Sequence, residues 1–312
     1  VKRFLVTGGA GFIGSHIAET LVKKGDFVRV LDNFSSGKIE NLEKILKKID
    51  LIRADIRDKD ICLKATKGID YVLHQAALRS VPKSMHNPRQ YNEVNINGTL
   101  NLLEASLENK VKRFVFASSS SVYGNINTFP EKEDFLPQPI SPYALTKLTG
   151  EYYCKIFTYH YSLDTVSLRY FNVFGPRQAL DDEYAVVIPK FISCMLKDES
   201  PPIYGTGRQS RDFTYISNVV GANILACQSK DLGAGIFNIA SGKDYKILEL
   251  IKILNRIIKK DIKPIFLDPR PGDVFRTLSD LSRSKKILGF KPRIDFLHGL
   301  KLTVEYFKGL YA

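Results

Sequence analysis

Tyr143 and Lys147 stand four residues apart in Ser141-Pro142-Tyr143-Ala144-Leu145-Thr146-Lys147, and the serine run Ser118-Ser119-Ser120-Ser121 lies about two dozen residues upstream. On a helix that spacing stacks a phenol and an ammonium on one face. A free tyrosine, with a pKa of about 10, is no base at neutral pH. A neighbouring cation favours the phenolate and pulls that pKa down, and a second positive charge pulls it further. Bringing it to about 7 takes roughly 4 kcal/mol of differential interaction, within reach of two close cations in a dry pocket. A hydroxyl from the serine run then shares the proton being moved. The chemistry expected is proton abstraction from an alcohol. Alone, Tyr-x-x-x-Lys more often marks a solvated helix face.

The front of the chain supplies the second charge. Arg3-Phe4-Leu5-Val6-Thr7 reads as a buried strand, a short apolar β-prone run ended by glycine. Gly8-Gly9-Ala10-Gly11-Phe12-Ile13-Gly14 follows, then a segment with helical periodicity (Ile13, Ile17, Leu21) that stops at Gly25. Gly8 permits the tight turn, Gly11 lets the backbone approach a pyrophosphate, and Gly14 lets the helix pack against the strand. The helix N-terminus offers amide donors and a positive dipole to the anion. A second strand, Phe27-Val28-Arg29-Val30-Leu31, ends at Asp32, 18 residues past Gly14. That is where a carboxylate holds a ribose diol and repels a 2′-phosphate, so NAD is expected over NADP. An oxidised nicotinamide beside Tyr143 is the second cation, and it couples proton removal to hydride transfer.

At 312 residues the chain has ample core for one large domain or two moderate ones. Its 44% hydrophobic and 25% charged content are those of an ordinary globular protein. No apolar run approaches the roughly 18 residues needed to span a bilayer, and no export leader is visible, so a cytoplasmic protein without membrane association is expected. Cys62, Cys154, Cys194 and Cys227 are widely spaced, form no Cys-x-x-Cys pair, and read as reduced packing residues rather than metal ligands. The net charge of +13 is spread along predicted helix faces such as 44–48 and 246–256, where apolar residues recur at helical spacing. Without an RNA-binding signature, that charge is read as surface lysine, and no nucleic-acid partner is expected.

Strand-like runs alternate with helical ones through the first half: Leu51–Asp55, Tyr71–His74, Arg113–Ala117 and Thr165–Tyr170. The alternation predicts an α/β fold, a Rossmann-type doubly wound parallel sheet, with a smaller mixed α/β domain after it. Each strand ends in a polar or small cluster: Gly8, Asp32, Asp55, Gln75-Ala76-Ala77, the serine run, Tyr170-Phe171-Asn172. Ligands of such sheets sit at the carboxyl ends of the strands, so those clusters should converge on one cleft. Glycine- and proline-rich stretches after Asn172 place the expected boundary there: 1–171 for the NAD-binding domain and 172–312 for the substrate domain. Later segments such as Ile236–Ile239 are candidates to return to the sheet.

Together Gly8-x-x-Gly11-x-x-Gly14, Asp32-Asn33, Ser119-Ser120-Ser121-Val122-Tyr123-Gly124, Ser141-Pro142-Tyr143-x-x-x-Lys147 and Arg169-Tyr170-Phe171-Asn172 resemble the extended short-chain dehydrogenase/reductases that act on nucleotide sugars. The resemblance covers essentially the whole chain. Its second half, with 184–191 and 210–216, is most similar to the UDP-hexose 4-epimerases, and within them to the UDP-N-acetylglucosamine branch. The resemblance implies that Ser119 and Tyr143 bracket the sugar 4-hydroxyl, that Tyr143 takes its proton while C4 gives a hydride to NAD, and that Lys147 holds the ribose. The 4-keto sugar would then turn over and take the hydride back on its other face. Further cofactor contacts are implied for Gly8, Gly11, Phe12, Ile13, Gly14, Asp32, Asn33, Ser36, Gly37, Asp55, Ile56, Gln75, Ala76, Ala77, Asn95 and Tyr170. Substrate contacts are implied for Ser119, Ser121, Asn172, Val186, Val187, Arg211, Arg270, Asp273 and Thr277. Arg211 and Arg270 would clamp the diphosphate, and Asp273 would bind the uridine ribose. Thr277 matches the position whose bulk decides whether a 2-acetamido group fits, and Val186 points the same way. Asp244 departs from the branch, which has arginine there. A homodimer is the family's usual assembly.

Rival chemistries need other residues. Sugar-nucleotide 4,6-dehydratases place Asp-Glu before Val-Tyr-Gly, and the related decarboxylases place a glutamate there; Ser121 does neither acid–base job. UDP-glucuronate 4-epimerase keeps a serine run and remains the alternative substrate reading. From another class, a non-catalytic dinucleotide- or RNA-binding relative draws support only from the charge, and would normally have lost Tyr143 or Lys147.

Overall fold

The computed structural model describes residues 1–179, 187–269 and 274–311. Six strands of the first half, β1 (Arg3–Thr7), β2 (Phe27–Asp32), β3 (Asp50–Arg53), β4 (Tyr71–His74), β5 (Arg113–Ser119) and β6 (Thr165–Tyr170), join the strand Ile236–Ile239 in one sheet. The order is Ile236–Ile239, β6, β5, β4, β1, β2, β3, with every pair parallel. Strand order reverses beside β1, and a parallel sheet opens its ligand crevice at such a switch point.

Alternation along β1 builds a two-faced core. Phe4 and Val6 belong to one buried cluster with Ile17, Leu21 and Val30, whereas Leu5 belongs to a second with Leu31, Val72, Leu102 and Phe114. Both faces of the sheet are thus covered by helices, which explains why the strands read as continuous apolar runs. The architecture is the Rossmann-type α/β sheet expected. Strand ends differ by a residue or two: Leu51–Asp55 is shortened to Asp50–Arg53, which frees Asp55, and Arg113–Ala117 extends to Ser119. The lysine-rich stretch at 44–48 lies within a 3-10 helix, Ile39–Lys48, burying Leu42 and Ile45, rather than in a regular α-helix. The stretch at 246–256 is the helix Ile247–Ile258, which buries Ile247, Leu250, Ile251, Leu254 and Ile258.

Past residue 172 the chain alternates between two regions. Three small two-stranded sheets stand apart from the main one: Val173–Phe174 with Thr214–Tyr215, Ser210–Asp212 with Asp244–Lys246, and Pro202–Tyr204 with Ile265–Leu267. The helix Ile216–Gln228 instead returns to the main sheet, where Ala226 O accepts from Arg113 and Asn223 bonds Tyr170. No described helix is long and apolar enough to cross a membrane.

The turn after β1 is fixed by two glycines. Gly8 has a φ of +64°, and a Cβ there would lie 2.7 Å from the Ala76 nitrogen. A Cβ on Gly14 would lie 2.2 Å from the Gly8 oxygen and 2.8 Å from the Gly9 Cα. Backbone atoms cannot yield as a side-chain tip can. Gly14→Ala should therefore destabilise the protein by about 1–3 kcal/mol and widen the turn, seen as a lowered Tm together with lost NAD; a variant melting like the parent would contradict this packing.

Candidate active site

A cleft of about 940 Å³ runs across the carboxyl ends of the strands, lined by Gly8, Gly11 and Gly14 after β1, Asp32 after β2, Asp55 after β3, Gln75-Ala76-Ala77 after β4, Ser118 of β5 and Tyr170 of β6. The clusters that end the predicted strands do converge. The helix Phe12–Lys23 starts at the cleft with an extended Gly11 as its N-cap, which points its first amides toward the opening. Asp32 is buried and accepts from Ala10 N at 2.9 Å with one oxygen and from Phe34 N at 2.8 Å with the other. Burial raises its pKa and those two bonds oppose the rise. Asp32 therefore pins the glycine turn to the end of β2 while also lining the cleft. Asn33 donates to Asp55 at 2.7 Å, and Arg57 holds the Asp55 carboxyl at about 2. Phe12, Ile13, Asn33, Ser36, Gly37, Ile56, Tyr143 and Lys147 also line this wall.

Tyr143 rides the helix Pro142–Tyr161, whose start is written in its sequence. Ser141 caps it by accepting from Ala144 N at 3.1 Å, and Pro142 occupies the first turn, where a missing N–H costs nothing. One turn on, the buried Lys147 ammonium donates to Ala117 O of β5 at 2.8 Å and sits 6.0 Å from the Tyr143 ring centroid. Burial lowers its pKa to about 8, so it still carries its charge at neutrality. The expected lowering of the Tyr143 pKa is not present in the protein alone. Burial raises it, while hydrogen bonding to Ser119 and the charge of Arg79 pull against the rise. Lys147 is not among the groups that act on the Tyr143 pKa, so a cation must come from the ligand to finish the activation.

A second cleft, of about 500 Å³, meets the first at Tyr143 and shares Phe12, Ile13, Arg79, Ser118, Tyr170 and Gln178 with it. Ser119, Ser121, Asn172, Val187, Arg211 and Thr277 line it. The Ser121 hydroxyl is buried and has no hydrogen-bond partner among the described residues. Thr277 accepts from Asp212 N at 3.2 Å, so its single proton is free for Asn172 Oδ1 at 3.0 Å. That assignment turns the Asn172 amide nitrogen outward as a donor. Arg211 donates to Ser210 O and Phe275 O. Val186, Arg270 and Asp273 lie outside the described residues.

Asn95 is the one described candidate that is not on either wall. It is buried behind the first cleft, where it accepts from Leu78 N, donates to Leu78 O and donates to Thr146. It therefore clamps the 76–79 loop to the catalytic helix rather than presenting a polar atom to the cleft. Asp244, the departure from the resembled branch, is ion-paired with Arg276 at 2.8 Å. Two residues escaped the sequence reading. Arg79 extends from the loop after β4 into both clefts, and only its place just past Gln75-Ala76-Ala77 hinted at a role. Gln178 lies in both clefts as well, at the end of the Gly175-Pro176-Arg177 turn.

The first cleft fits a dinucleotide. Its glycine cradle excludes any Cβ at Gly8 or Gly14, a helix N-terminus faces it, and a carboxylate stands at the end of β2. NAD bound there would accept a hydride from a carbinol carbon and later return it. Tyr143 and Ser119 would hold the alcohol proton, and Lys147 would bond the ribose beside them.

The family model for the NAD-dependent epimerase/dehydratase family matches residues 4–240. A UDP-N-acetylglucosamine 4-epimerase from Methanobrevibacter ruminantium M1, solved with UDP-N-acetylmuramic acid, is 45% identical with a TM-score of 0.95 over 99% of both chains. A UDP-glucose 4-epimerase from Thermotoga maritima, solved with UDP-glucose, is 40% identical with a TM-score of 0.94 over 99% of both chains. A UDP-glucuronic acid 4-epimerase from Bacillus cereus, solved with UDP-glucuronic acid and NAD, is 35% identical with a TM-score of 0.91 over 99% of both chains.

Two outcomes are expected at this site. Tyr143→Phe should lower kcat at least a hundredfold while NAD stays bound, read by product formation and by cofactor released on denaturation; retained turnover would remove Tyr143 as the base. Lys147 has a pKa near 8 when folded against an ordinary 10.5. Between those values the unfolded chain keeps a proton that the folded chain has lost. Stability of the ligand-free protein from this group should therefore rise from about pH 8 to about 10.5, while activity falls as the ammonium is lost. Lys147→Met should remove that segment of the denaturation profile.

Proposed function

The chain belongs to the NAD-dependent epimerase/dehydratase family as an NAD-dependent UDP-sugar 4-epimerase, and from that premise we propose that it interconverts UDP-N-acetylglucosamine with UDP-N-acetylgalactosamine and also UDP-glucose with UDP-galactose. The observation that carries this reading is the junction of the two clefts, with Tyr143 at the crossing and Ser119 beside it. A reacting C4 alcohol must touch the base and the dinucleotide ring together, and only a group at that crossing does so. Net redox is zero, so a single cofactor kept in place serves every turnover.

Substrate choice rests on the wall opposite. Thr277 is small and its hydroxyl is engaged with Asn172 and Asp212, so the space a bulky aromatic would take is left to a 2-acetamido group. Arg211 supports binding of the diphosphate, and Arg270 and Asp273 are proposed for the diphosphate and uridine ribose on sequence grounds alone. UDP-glucuronate is a second reading, favoured by Arg79: its guanidinium lines the sugar cleft with no described hydrogen-bond partner, where a sugar carboxylate would find it.

A homodimer is supported by the outer face of Pro142–Tyr161. Leu145, Tyr152, Ile156 and Tyr159 are all exposed there and recur at helical spacing, an apolar stripe that a second copy would cover. The four free, buried cysteines fit the expected cytoplasmic setting.

The decisive experiment is a product assay with UDP-glucose, UDP-N-acetylglucosamine and UDP-glucuronate, resolved by proton NMR of the sugar ring. Conversion of the acetylated sugar supports the first reading; conversion of glucuronate alone would replace it. Thr277→Tyr should suppress conversion of the N-acetylated sugar at least tenfold and spare UDP-glucose, since an overfilled pocket costs about 1–3 kcal/mol. Equal losses on both would end the gatekeeper assignment.

A further inference from the structure

His74 ends β4 as a buried titratable side chain that none of the chemistry above uses. It is 1% exposed, and its ring centroid lies 5.6 Å from that of Phe114 and 5.8 Å from that of Phe116. Both ring nitrogens are engaged: Nε2 lies 2.9 Å from Thr99 Oγ1, and Nδ1 lies 2.7 Å from Thr7 Oγ1. Proton counting fixes the tautomer. Thr99 Oγ1 gives its one proton to Asn95 O at 2.6 Å, because a carbonyl only accepts. Toward the ring it can therefore only accept, which puts a proton on Nε2. Burial, and then the charge of Lys147, lowers the His74 pKa to about 3, so the ring is neutral and Nδ1 carries no proton. Nδ1 thus accepts from Thr7 Oγ1, which accepts in turn from Ala76 N at 3.2 Å.

The two ends of this chain of bonds lead to different parts of the site. One end is Ala76 on the wall of the first cleft. The other is Asn95, whose side chain holds Leu78 N and O and donates to Thr146, and Thr146 donates to Tyr143 O at 2.8 Å. We propose that His74 is a positioning residue for the dinucleotide wall and the catalytic helix: its Nε2–H tautomer offers an acceptor toward Thr7 and a donor toward Thr99, and that opposed pair sets the 76–78 wall and Tyr143 in register. The functional part rests on the reading of the first cleft as the dinucleotide site. Neutrality serves the same end. Lys147 Nζ lies 5.1 Å from the Phe116 ring, which His74 also meets, and a second cation there would drive protons off the ammonium.

Two variants separate polarity from packing. His74→Phe keeps an aromatic ring beside Phe114 and Phe116 and removes both polar bonds; His74→Gln gives up the ring but keeps a donor and an acceptor. Purified holoenzyme of each is compared with the parent for NAD retained and for kcat with UDP-glucose and UDP-N-acetylglucosamine. The Phe variant should lose about tenfold in kcat and hold less NAD, and the Gln variant should recover most of both. A side chain that only fills space gives the opposite order, with Phe the milder change; that order, or two variants equal to the parent, would overturn the proposal. The parent supplies an arm that needs no variant to fold. Nitrogen NMR of protein labelled at histidine, with His74 assigned through its contacts to the Phe116 ring, should show a proton on Nε2, none on Nδ1, and no titration from about pH 5 to 8. A proton on Nδ1, or titration in that range, would also overturn the proposal. A parent that holds no NAD and epimerises nothing would instead overturn the functional reading, with the tautomer still decided by the spectrum.

Discussion

A charged ammonium held out of water governs this site. Lys147 is 5% exposed, and one carbonyl, Ala117 O, accepts from it among the described residues, with the Phe116 ring 5.1 Å away. Burying a cation costs several kcal/mol unless it is compensated, and here compensation is deliberately thin: the pKa falls to about 8 but not below neutrality. The ammonium thus keeps bonding capacity for a ligand hydroxyl, and its bond to Ala117 O of β5 ties the catalytic helix to the sheet. Tyr143 inherits its place from that docking. Because the same burial raises the phenol pKa, the protein alone holds Tyr143 protonated and waits for a cationic ring to change the balance.

The wall behind the serine run is built to stay put. Glu151 and Arg169 form a buried two-bond ion pair, each side chain 2% exposed, and Ser118 donates to the same carboxylate. Arg169 stacks on Tyr123, whose hydroxyl donates to Asn238 at 2.7 Å. Those contacts tie the catalytic helix, β5, β6 and the Ile236–Ile239 strand to one another. A buried pair like this adds little net stability over apolar packing, but breaking it would leave a stranded charge. Its value to a catalyst is that Ser119, one residue past Ser118, stays within reach of Tyr143.

The substrate side is assembled differently, from short pieces far apart in the chain. Asn172 has a positive φ of 26° and is held at its carbonyl by Thr214 N and at its side chain by Thr277. Asp212 accepts from Ser241, Gly242 and Ser279 while its own nitrogen donates to Thr277. Small sheets and turns of this kind carry little core of their own, so polar bonds take over the task of fixing geometry.

What could be read along the chain was what depends on near neighbours. The Gly8–Gly14 turn, the Tyr143–Lys147 spacing, the Ser141-Pro142 helix start and the apolar strand runs each express local backbone and rotamer physics, and each recurs in the fold. The convergence of strand ends followed too, because a parallel sheet sends all its carboxyl termini to one side. The fold alone decided which polar atoms are spent and which remain free. Asn95 went behind the wall because Leu78, 17 residues earlier, needed its backbone satisfied. Thr277 met Asn172 across 105 residues, and Arg79 reached Tyr143 from another strand end. Such pairings depend on where separate elements pack, and a hydrogen bond made or missed across that distance leaves no periodic trace in sequence.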